Sequence, residues 1–121
     1  MRSLVFLLLF IFGNLSFANA EEKFICSSYY AYKLKGHLPT RAYDKWKHCT
    51  LSCWLARRCG ANDAMQIGLL KELWDLVSPG NAEWEDIEAD AQGISFYQEK
   101  QAGSDKECSY RCSTVYPKYK K

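Results

Sequence analysis

The chain has 121 residues, of which 48% are hydrophobic and 25% are charged, and its formal net charge at pH 7 is +2. This length allows one small domain with one modest core. The small net charge argues against a protein that works by bulk attraction to nucleic acid or to an anionic membrane. We therefore expect no nucleic acid among its partners.

The first 20 residues predict a secretory signal peptide. Arg2 gives the start a positive charge, an apolar run covers residues 4–12, and the small-x-small sequence at residues 18–20 is typical of a cleavage site. No later stretch approaches the roughly 20 apolar residues that a membrane helix needs. We therefore expect one exported domain over residues 21–121, without a membrane span, in the periplasm or outside the cell.

Residues 21–40 are predicted to form an irregular or extended arm. Their serines and tyrosines give no helical period, and Gly36 and Pro39 interrupt the segment. Cys26 is expected to attach the arm to the domain. Tyrosine is enriched at protein interfaces, so the tyrosines of the arm are candidates for a binding surface. They are Tyr29, Tyr30 and Tyr32.

The next segment predicts a helix that begins within residues 40–44 and ends at Cys59. Four residues recur on one face of it at helical spacing: Trp46, Cys49, Cys53 and Ala56. Gly60 follows directly, where a left-handed residue commonly ends a helix.

A second helix is predicted from Asn62 or Asp63 until residues 78–80, Ser-Pro-Gly, stop it. This is the most hydrophobic segment after the signal peptide, and we expect its apolar stripe to form the centre of the core. The stripe consists of Met65, Leu69, Leu70, Leu73, Leu76 and Val77.

Two further helices are predicted after residue 80. Asn81 is suited to cap a short helix over residues 82–92, which Gly93 would end, and residues 94–103 would form a loop. Ser104 and Glu107 form a capping box for the last helix, which Pro117 closes. The predicted fold class is therefore all-α, a small disulfide-braced bundle of about four helices with an irregular N-terminal arm.

Six cysteines in a short exported chain predict three disulfides. Cys49 and Cys53 are four residues apart, as are Cys108 and Cys112. Cysteines at this spacing project from one face of a helix, so a bridge within either pair would distort the backbone. If the two helices lie antiparallel, two bridges join them and the other two cysteines pair. The predicted disulfides are Cys49–Cys112, Cys53–Cys108 and Cys26–Cys59.

Neither a zinc site nor a reactive thiol is expected. The chain has no C-x2-C motif, and His37 and His48 are not at zinc-finger spacing. His48 adjoins Cys49, but adjacent helical residues diverge by about 100 degrees, and Cys49 is assigned to a disulfide. No metal or other cofactor is predicted.

The candidate catalytic residues are one histidine and four helix-borne carboxylates: His48, Glu72, Asp75, Asp86 and Asp90. Carboxylates one helical turn apart can share a metal ion or divide the roles of general acid and general base. Such spacing is also common on any exposed helix, so we expect these side chains to scatter over the surface. We also expect the basic residues between 33 and 58 to pair with the acidic block at 83–90 within the molecule.

Residues 44–93 resemble a cysteine-containing segment at the C-terminal tips of bacterial RHS/YD-repeat polymorphic-toxin proteins. The resemblance is carried by His48-Cys49, Ser52-Cys53, Cys59-Gly60, Lys71-Glu72 with Asp75, residues 80–86 (GNAEWED) and residues 89–93 (ADAQG). The chain departs from this family at Asp90, where the family has asparagine, and it lacks the repeat shell. The resemblance implies a bacterial source and an effector role, with the five candidate catalytic residues as the matching polar positions.

Three functional hypotheses follow from the sequence. The first is a secreted interaction or effector module, toxin-like and without catalysis, which binds an unknown protein or envelope partner. The second is a small hydrolase that uses His48 and the helix-borne carboxylates. The third is a structural envelope protein. Convergence of the candidate residues in one cleft would favour the hydrolase, and exposure of the three tyrosines as one patch would favour a binding module.

Overall fold

The fold is taken from a computed structural model, which describes the backbone of residues 17–77 and 83–119 and the side chains of residues 25–74 and 83–119. These residues form five helices and no strand: α1 Phe17–Lys35, α2 Asp44–Cys59, α3 Ala61–Val77, α4 Trp84–Gln98 and α5 Asp105–Val115. The all-α class is confirmed, with five helices instead of four. None of the helices in the described ranges has the length and apolar character needed to span a bilayer.

The N-terminal segment is helical, so the prediction of an irregular arm is wrong. Ser27, Tyr30, Ala31 and Leu34 recur at spacings of three and four residues and are shielded from solvent. Tyr30 and Ala31 pack against a buried cluster that includes Leu55. The inward face of α1 therefore has a helical period, but its small and polar residues conceal that period in the sequence. The predicted signal peptide lies outside the described residues, except that the backbone of residues 17–20 begins α1.

Helix α2 packs against each of the other four helices. Two disulfides, Cys49–Cys112 and Cys53–Cys108, join it to α5 with Cα–Cα distances of 5.8 and 5.7 Å, and Cys26–Cys59 joins its last residue to α1. These are the three pairs that the cysteine spacing predicts. The four cysteines between α2 and α5 are fully buried and, together with Trp46 and Phe96, form one of two core clusters.

Helix α4 continues through Gly93 to Gln98, so the prediction that Gly93 ends the helix is wrong. Gly93 is buried where α4 crosses α2. A Cβ atom at this position would lie 2.0 Å from the carbonyl oxygen of Cys49, which is far inside contact distance. The glycine is therefore needed for the close approach of two helices and does not act as a helix stop.

Helix α3 does not form the centre of the core, contrary to the sequence-based prediction. Leu69, Leu70 and Leu73 are exposed, and the side chains of Leu76 and Val77 lie outside the described residues. Met65 of the stripe is half-buried against a core cluster, but the described residues of α3 that are buried are small or acidic: Asp63, Ala64 and Glu72. The disulfide-linked pair α2–α5, together with α4, occupies the interior that the leucine stripe was expected to fill.

The start of α5 is held to the end of α2 by charge. Asp105 Oδ2 accepts a hydrogen bond of 2.6 Å from Arg58, and Oδ1 accepts one of 2.5 Å from Arg57. Ser104 caps the same helix end by accepting a hydrogen bond from the backbone N–H of Glu107, as the capping box predicts. The hydrogen bond from Arg58 is the main reason that the pKa of Asp105 lies below its ordinary value.

We expect Gly93→Ala to lower the free energy of unfolding by about 2 kcal/mol or more, because the added methyl group forces α4 away from α2. Chemical denaturation would measure the loss. Gly36→Ala is the matched control, since a Cβ at Gly36 meets nothing within 4 Å. Without this crowding, replacing glycine by alanine inside a helix would raise the free energy of unfolding by about 0.5–1 kcal/mol. An unchanged or more stable Gly93→Ala variant would therefore contradict the close approach.

We expect Asp105→Asn to lower the free energy of unfolding near neutral pH by about 1–2 kcal/mol. The depressed pKa of folded Asp105 means that this stabilisation exists above the unfolded-state pKa near 4 and is lost as the pH falls through the folded value. The gap between wild type and variant should therefore shrink when denaturation is repeated at about pH 3. Glu85→Gln, at an exposed carboxylate, serves as the control. A gap that is equal at both pH values would show that the charge of Asp105 is not responsible.

Candidate functional site

A cleft of about 550 Å³ opens between α1, α2 and α3, and Asp90 of α4 also lines it. Most of its wall is apolar and includes Leu38, Leu51, Leu55, Ala64 and Ile67. Three lysines also line it: Lys35, Lys47 and Lys71. Its remaining polar lining includes Asp44, His48 and Ser52. The cleft thus combines an apolar wall, a cationic margin and a histidine–aspartate pair.

The crossing of α2 and α4 brings His48 to two carboxylates. His48 precedes Cys49, whose carbonyl touches α4, and Asp90 lies three residues before Gly93 on α4. Nδ1 of His48 is 3.1 Å from Asp90 Oδ1, and Nε2 is 3.5 Å from Asp86 Oδ2. The expectation that the candidate residues scatter over the surface is therefore wrong for His48, Asp86 and Asp90.

Asp90 is buried and only half of its carboxylate is satisfied. Oδ1 accepts a hydrogen bond of 2.8 Å from the Ser52 hydroxyl and also faces His48 Nδ1. Oδ2 is buried and has no hydrogen-bond partner among the described residues. It points at Gly68 of α3, where a Cβ atom would lie 2.4 Å from it. Gly68 and Asp90 both line the cleft, and Gly68 covers this buried oxygen where α3 meets α4.

Asp86 is buried beside Lys45. The Lys45 ammonium forms ion pairs with the carboxylates of Glu83 and Asp86. Burial favours the neutral amine, but the hydrogen bonds to the two carboxylates outweigh it and raise the pKa of Lys45. The basic helix α2 therefore meets the acidic start of α4 within the molecule, as the charge pattern predicts.

The carboxylates around His48 favour its protonated form. Burial alone would lower the pKa of this imidazole, but the hydrogen bond to Asp90 opposes it, as do the charges of Asp90, Asp86 and Asp44. The net effect is that the pKa of His48 is raised above its ordinary value. The site therefore holds a proton on His48 more tightly than an exposed histidine would.

Of the two other candidate carboxylates, Glu72 and Asp75, the structure describes the side chain of Glu72 alone. Glu72 is buried, and its Oε2 accepts a hydrogen bond of 3.0 Å from the backbone N–H of Glu83, while Oε1 lies 3.4 Å from Lys71. Glu72 thus secures the residue that precedes α4, which is a structural role. The side chain of Asp75 lies outside the described residues.

The three candidate tyrosines of α1 do not form one exposed patch. Tyr29 and Tyr32 are exposed, whereas Tyr30 is half-buried against the core. The guanidinium carbon of Arg58 lies 5.6 Å from the centre of the Tyr30 ring. Tyr32 lines the cleft and is the one tyrosine of the three that joins the site.

One group of side chains could surround a divalent cation. His48, Asp44 and Asp86 each offer one ligand atom, and the three atoms lie within 4.8 Å of one another. An imidazole and two carboxylates suit several divalent metals. Lys45 already balances part of the negative charge, and a cation bound at Nε2 of His48 would compete with a proton for that atom.

Sequence reasoning missed Asp44 and Ser52 as members of this site. Asp44 lies four residues before His48 and Ser52 four residues after it, so all three share one face of α2. That spacing is the signal that could have identified them.

Comparisons with models of protein families, with curated proteins and with solved structures find no match for this chain.

We expect Asp90→Asn to lower the pKa of His48, because the hydrogen bond and the charge of Asp90 would no longer oppose the effect of burial. An NMR titration of the imidazole protons would measure the pKa, with His37→Gln used to assign the two histidine signals. Ser52→Ala keeps the Asp90 charge, so its His48 pKa should stay above the ordinary value. An unchanged pKa in Asp90→Asn would show that the two side chains do not interact in solution.

Proposed function

We propose that this protein is a small hydrolase in which His48 activates a water molecule to cleave an ester bound in the cleft. The observation that supports this most is the His48–Asp90 pair on the lining of an apolar cleft. Among the described residues, no hydrogen bond occupies Nε2 of this imidazole. A buried carboxylate, a histidine and an adjacent cavity are the parts that general base catalysis requires.

Asp90 would fix the tautomer of His48. If Nδ1 donates its hydrogen to Asp90 Oδ1, neutral His48 carries its lone pair on Nε2. The nearest carboxylate oxygens to Nε2 are those of Asp86 and Asp44, at 3.5 and 3.7 Å. After Nε2 takes a proton from the water that attacks the ester carbonyl, these carboxylates would stabilise the imidazolium. The imidazolium would then give the proton to the leaving alkoxide oxygen as the acyl C–O bond breaks, which leaves a carboxylic acid and an alcohol.

Water is a better candidate for the nucleophile than Ser52. In a serine-hydrolase triad the serine hydroxyl gives its proton to the histidine. Here the Ser52 hydroxyl donates to Asp90 Oδ1. Ser52 therefore helps to position Asp90, and the described residues place no other hydroxyl against His48.

The lining of the cleft supports an acyl ester as the substrate class. Leu51, Leu55 and Ile67 offer apolar contacts to an acyl chain. Lys47 and Lys71 line the same cleft, where an ammonium group can stabilise the oxyanion that forms when water attacks a carbonyl.

An interaction or effector module without catalysis is the second candidate. It is favoured by the exposed apolar side chains of α3, because large exposed apolar patches often mark binding sites. Hydrolysis separates the two candidates, since the interaction module requires none.

We expect the purified protein to hydrolyse p-nitrophenyl esters, and His48→Gln and Asp90→Asn to lower kcat/KM by about 100-fold or more. Activity should rise with pH through the raised pKa of His48, because only the neutral imidazole can accept a proton. His37→Gln is the matched control, since His37 is exposed and outside the cleft. Ser52→Ala should keep most of the activity.

Three results would overturn this proposal. One is the absence of hydrolysis across acyl chains from acetate to decanoate. Another is activity that survives His48→Gln. The third is activity that EDTA abolishes and a divalent cation restores, which would assign catalysis to a metal ion held by Asp44, His48 and Asp86.

A further inference from the structure

The outward face of α3 carries four exposed apolar side chains. Leu69, Leu70 and Leu73 are 41, 39 and 45% exposed, and Trp74 is 69% exposed. Their positions, i, i+1, i+4 and i+5, share one side of the helix. We call these four residues the α3 outer face. Soluble proteins rarely expose such a continuous apolar stripe without a binding role.

The opposite side of α3 explains why this face is outward. Gly68 meets Asp90 of α4, Glu72 binds the backbone of Glu83, and Ala64 is fully buried. These contacts fix the rotation of α3 about its axis. The leucines therefore cannot turn inward without breaking the contacts of α3 to α4.

The α3 outer face continues into the cationic margin of the cleft. Lys71, three residues before Trp74, lines the cleft, as do Lys35 and Lys47. Lys71 is 3.4 Å from Glu72 and Lys47 is 4.0 Å from Asp44, so two carboxylates offset part of this charge. Lysines beside exposed leucine and tryptophan are typical of segments that lie in the headgroup region of an anionic bilayer.

We propose that the α3 outer face docks the protein onto a lipid surface that contains anionic headgroups, and that the cleft takes an anionic amphiphile from that surface. The second half of this proposal rests on the proposed hydrolase and names its substrate class. The acyl chain would lie against Leu51, Leu55 and Ile67, with the headgroup near the lysines. The chain's small net charge is compatible with docking, because the attraction is local and apolar insertion adds to it.

A lipid surface fits this arrangement better than a protein partner. The cleft has an apolar wall, and α3 supplies both part of that wall and the α3 outer face. A substrate with a long acyl chain is concentrated in membranes and scarce in water. Docking through α3 would bring the cleft margin to the place where such a substrate is found. Trp74 and Tyr32, both exposed, are residue types enriched at membrane–water interfaces.

The test measures binding of the purified, exported protein to lipid vesicles. Mass spectrometry of the purified protein first identifies its N-terminus. Cosedimentation would use vesicles of phosphatidylcholine alone and vesicles with about one-third phosphatidylglycerol. All variants carry His48→Gln, so that binding is measured without hydrolysis. We expect clear binding to the anionic vesicles and about tenfold weaker binding to the neutral ones.

The double variant L73Q/W74A should lose about tenfold or more of its binding to anionic vesicles. The matched control is Y110A/V115Q on α5, at side chains that are 65 and 47% exposed. This control should bind to anionic vesicles as tightly as the protein that carries His48→Gln alone. Circular dichroism would check that both variants remain folded, which their exposed positions favour. A blue shift of tryptophan emission on binding, absent in the variant without Trp74, would place Trp74 at the interface.

Other outcomes would overturn the docking proposal. Unchanged binding of L73Q/W74A would show that the α3 outer face does not contact the vesicle. Equal binding to both vesicle types would show that the protein does not recognise the anionic headgroup. A dimer in analytical ultracentrifugation that L73Q/W74A dissociates, without vesicle binding, would assign the face to a second copy of the chain. Lost hydrolysis of soluble esters with retained vesicle binding would overturn the hydrolase alone.

Discussion

The backbone contact between Gly93 and the carbonyl of Cys49 determines how α4 lies against α2. It brings α4 so close to α2 that only a hydrogen atom fits between them. The side chain of Cys49 is joined to α5 by a disulfide, and its backbone carbonyl contacts α4 at Gly93. One residue of α2 therefore contacts two of the neighbouring helices. Asp90 and Asp86 lie one and two turns before Gly93, and this is why their carboxylates reach His48 of α2. The candidate site is a direct result of helix packing.

Burial makes the charges of this site depend on one another. Taking a carboxylate out of water is unfavourable unless hydrogen bonds or opposite charges replace its hydration. Asp86 meets Lys45 and His48, and these contacts account for its burial. Asp90 differs, since His48 and Ser52 share one oxygen while the other has no hydrogen-bond partner among the described residues. That oxygen lies against Gly68 of α3, where a Cβ atom would be 2.4 Å from it.

The sequence allows prediction of those features that depend on local spacing. The two pairs of cysteines at i and i+4 determine how α2 and α5 can be linked, and Ser104 with Glu107 locates the start of α5. Features that depend on which face meets a neighbour could not be predicted. The leucine stripe of α3 has a clear period, but the period does not say that Gly68 and Glu72 face inward. Gly93 resembles a helix terminator until the approach of α2 is known, and the convergence of His48 with Asp86 and Asp90 follows from that same approach.

The disulfide between Cys26 and Cys59 makes the cleft sensitive to the redox state of its surroundings. Helix α1 supplies Ala31, Tyr32 and Lys35 to the cleft, and this bridge is its covalent attachment to α2. Without it, the described contacts of α1 are those of half-buried side chains such as Tyr30 and Leu34, together with the small buried Ser27. In a reducing compartment this wall of the cleft would lose its covalent attachment to α2 and would be held by those contacts alone.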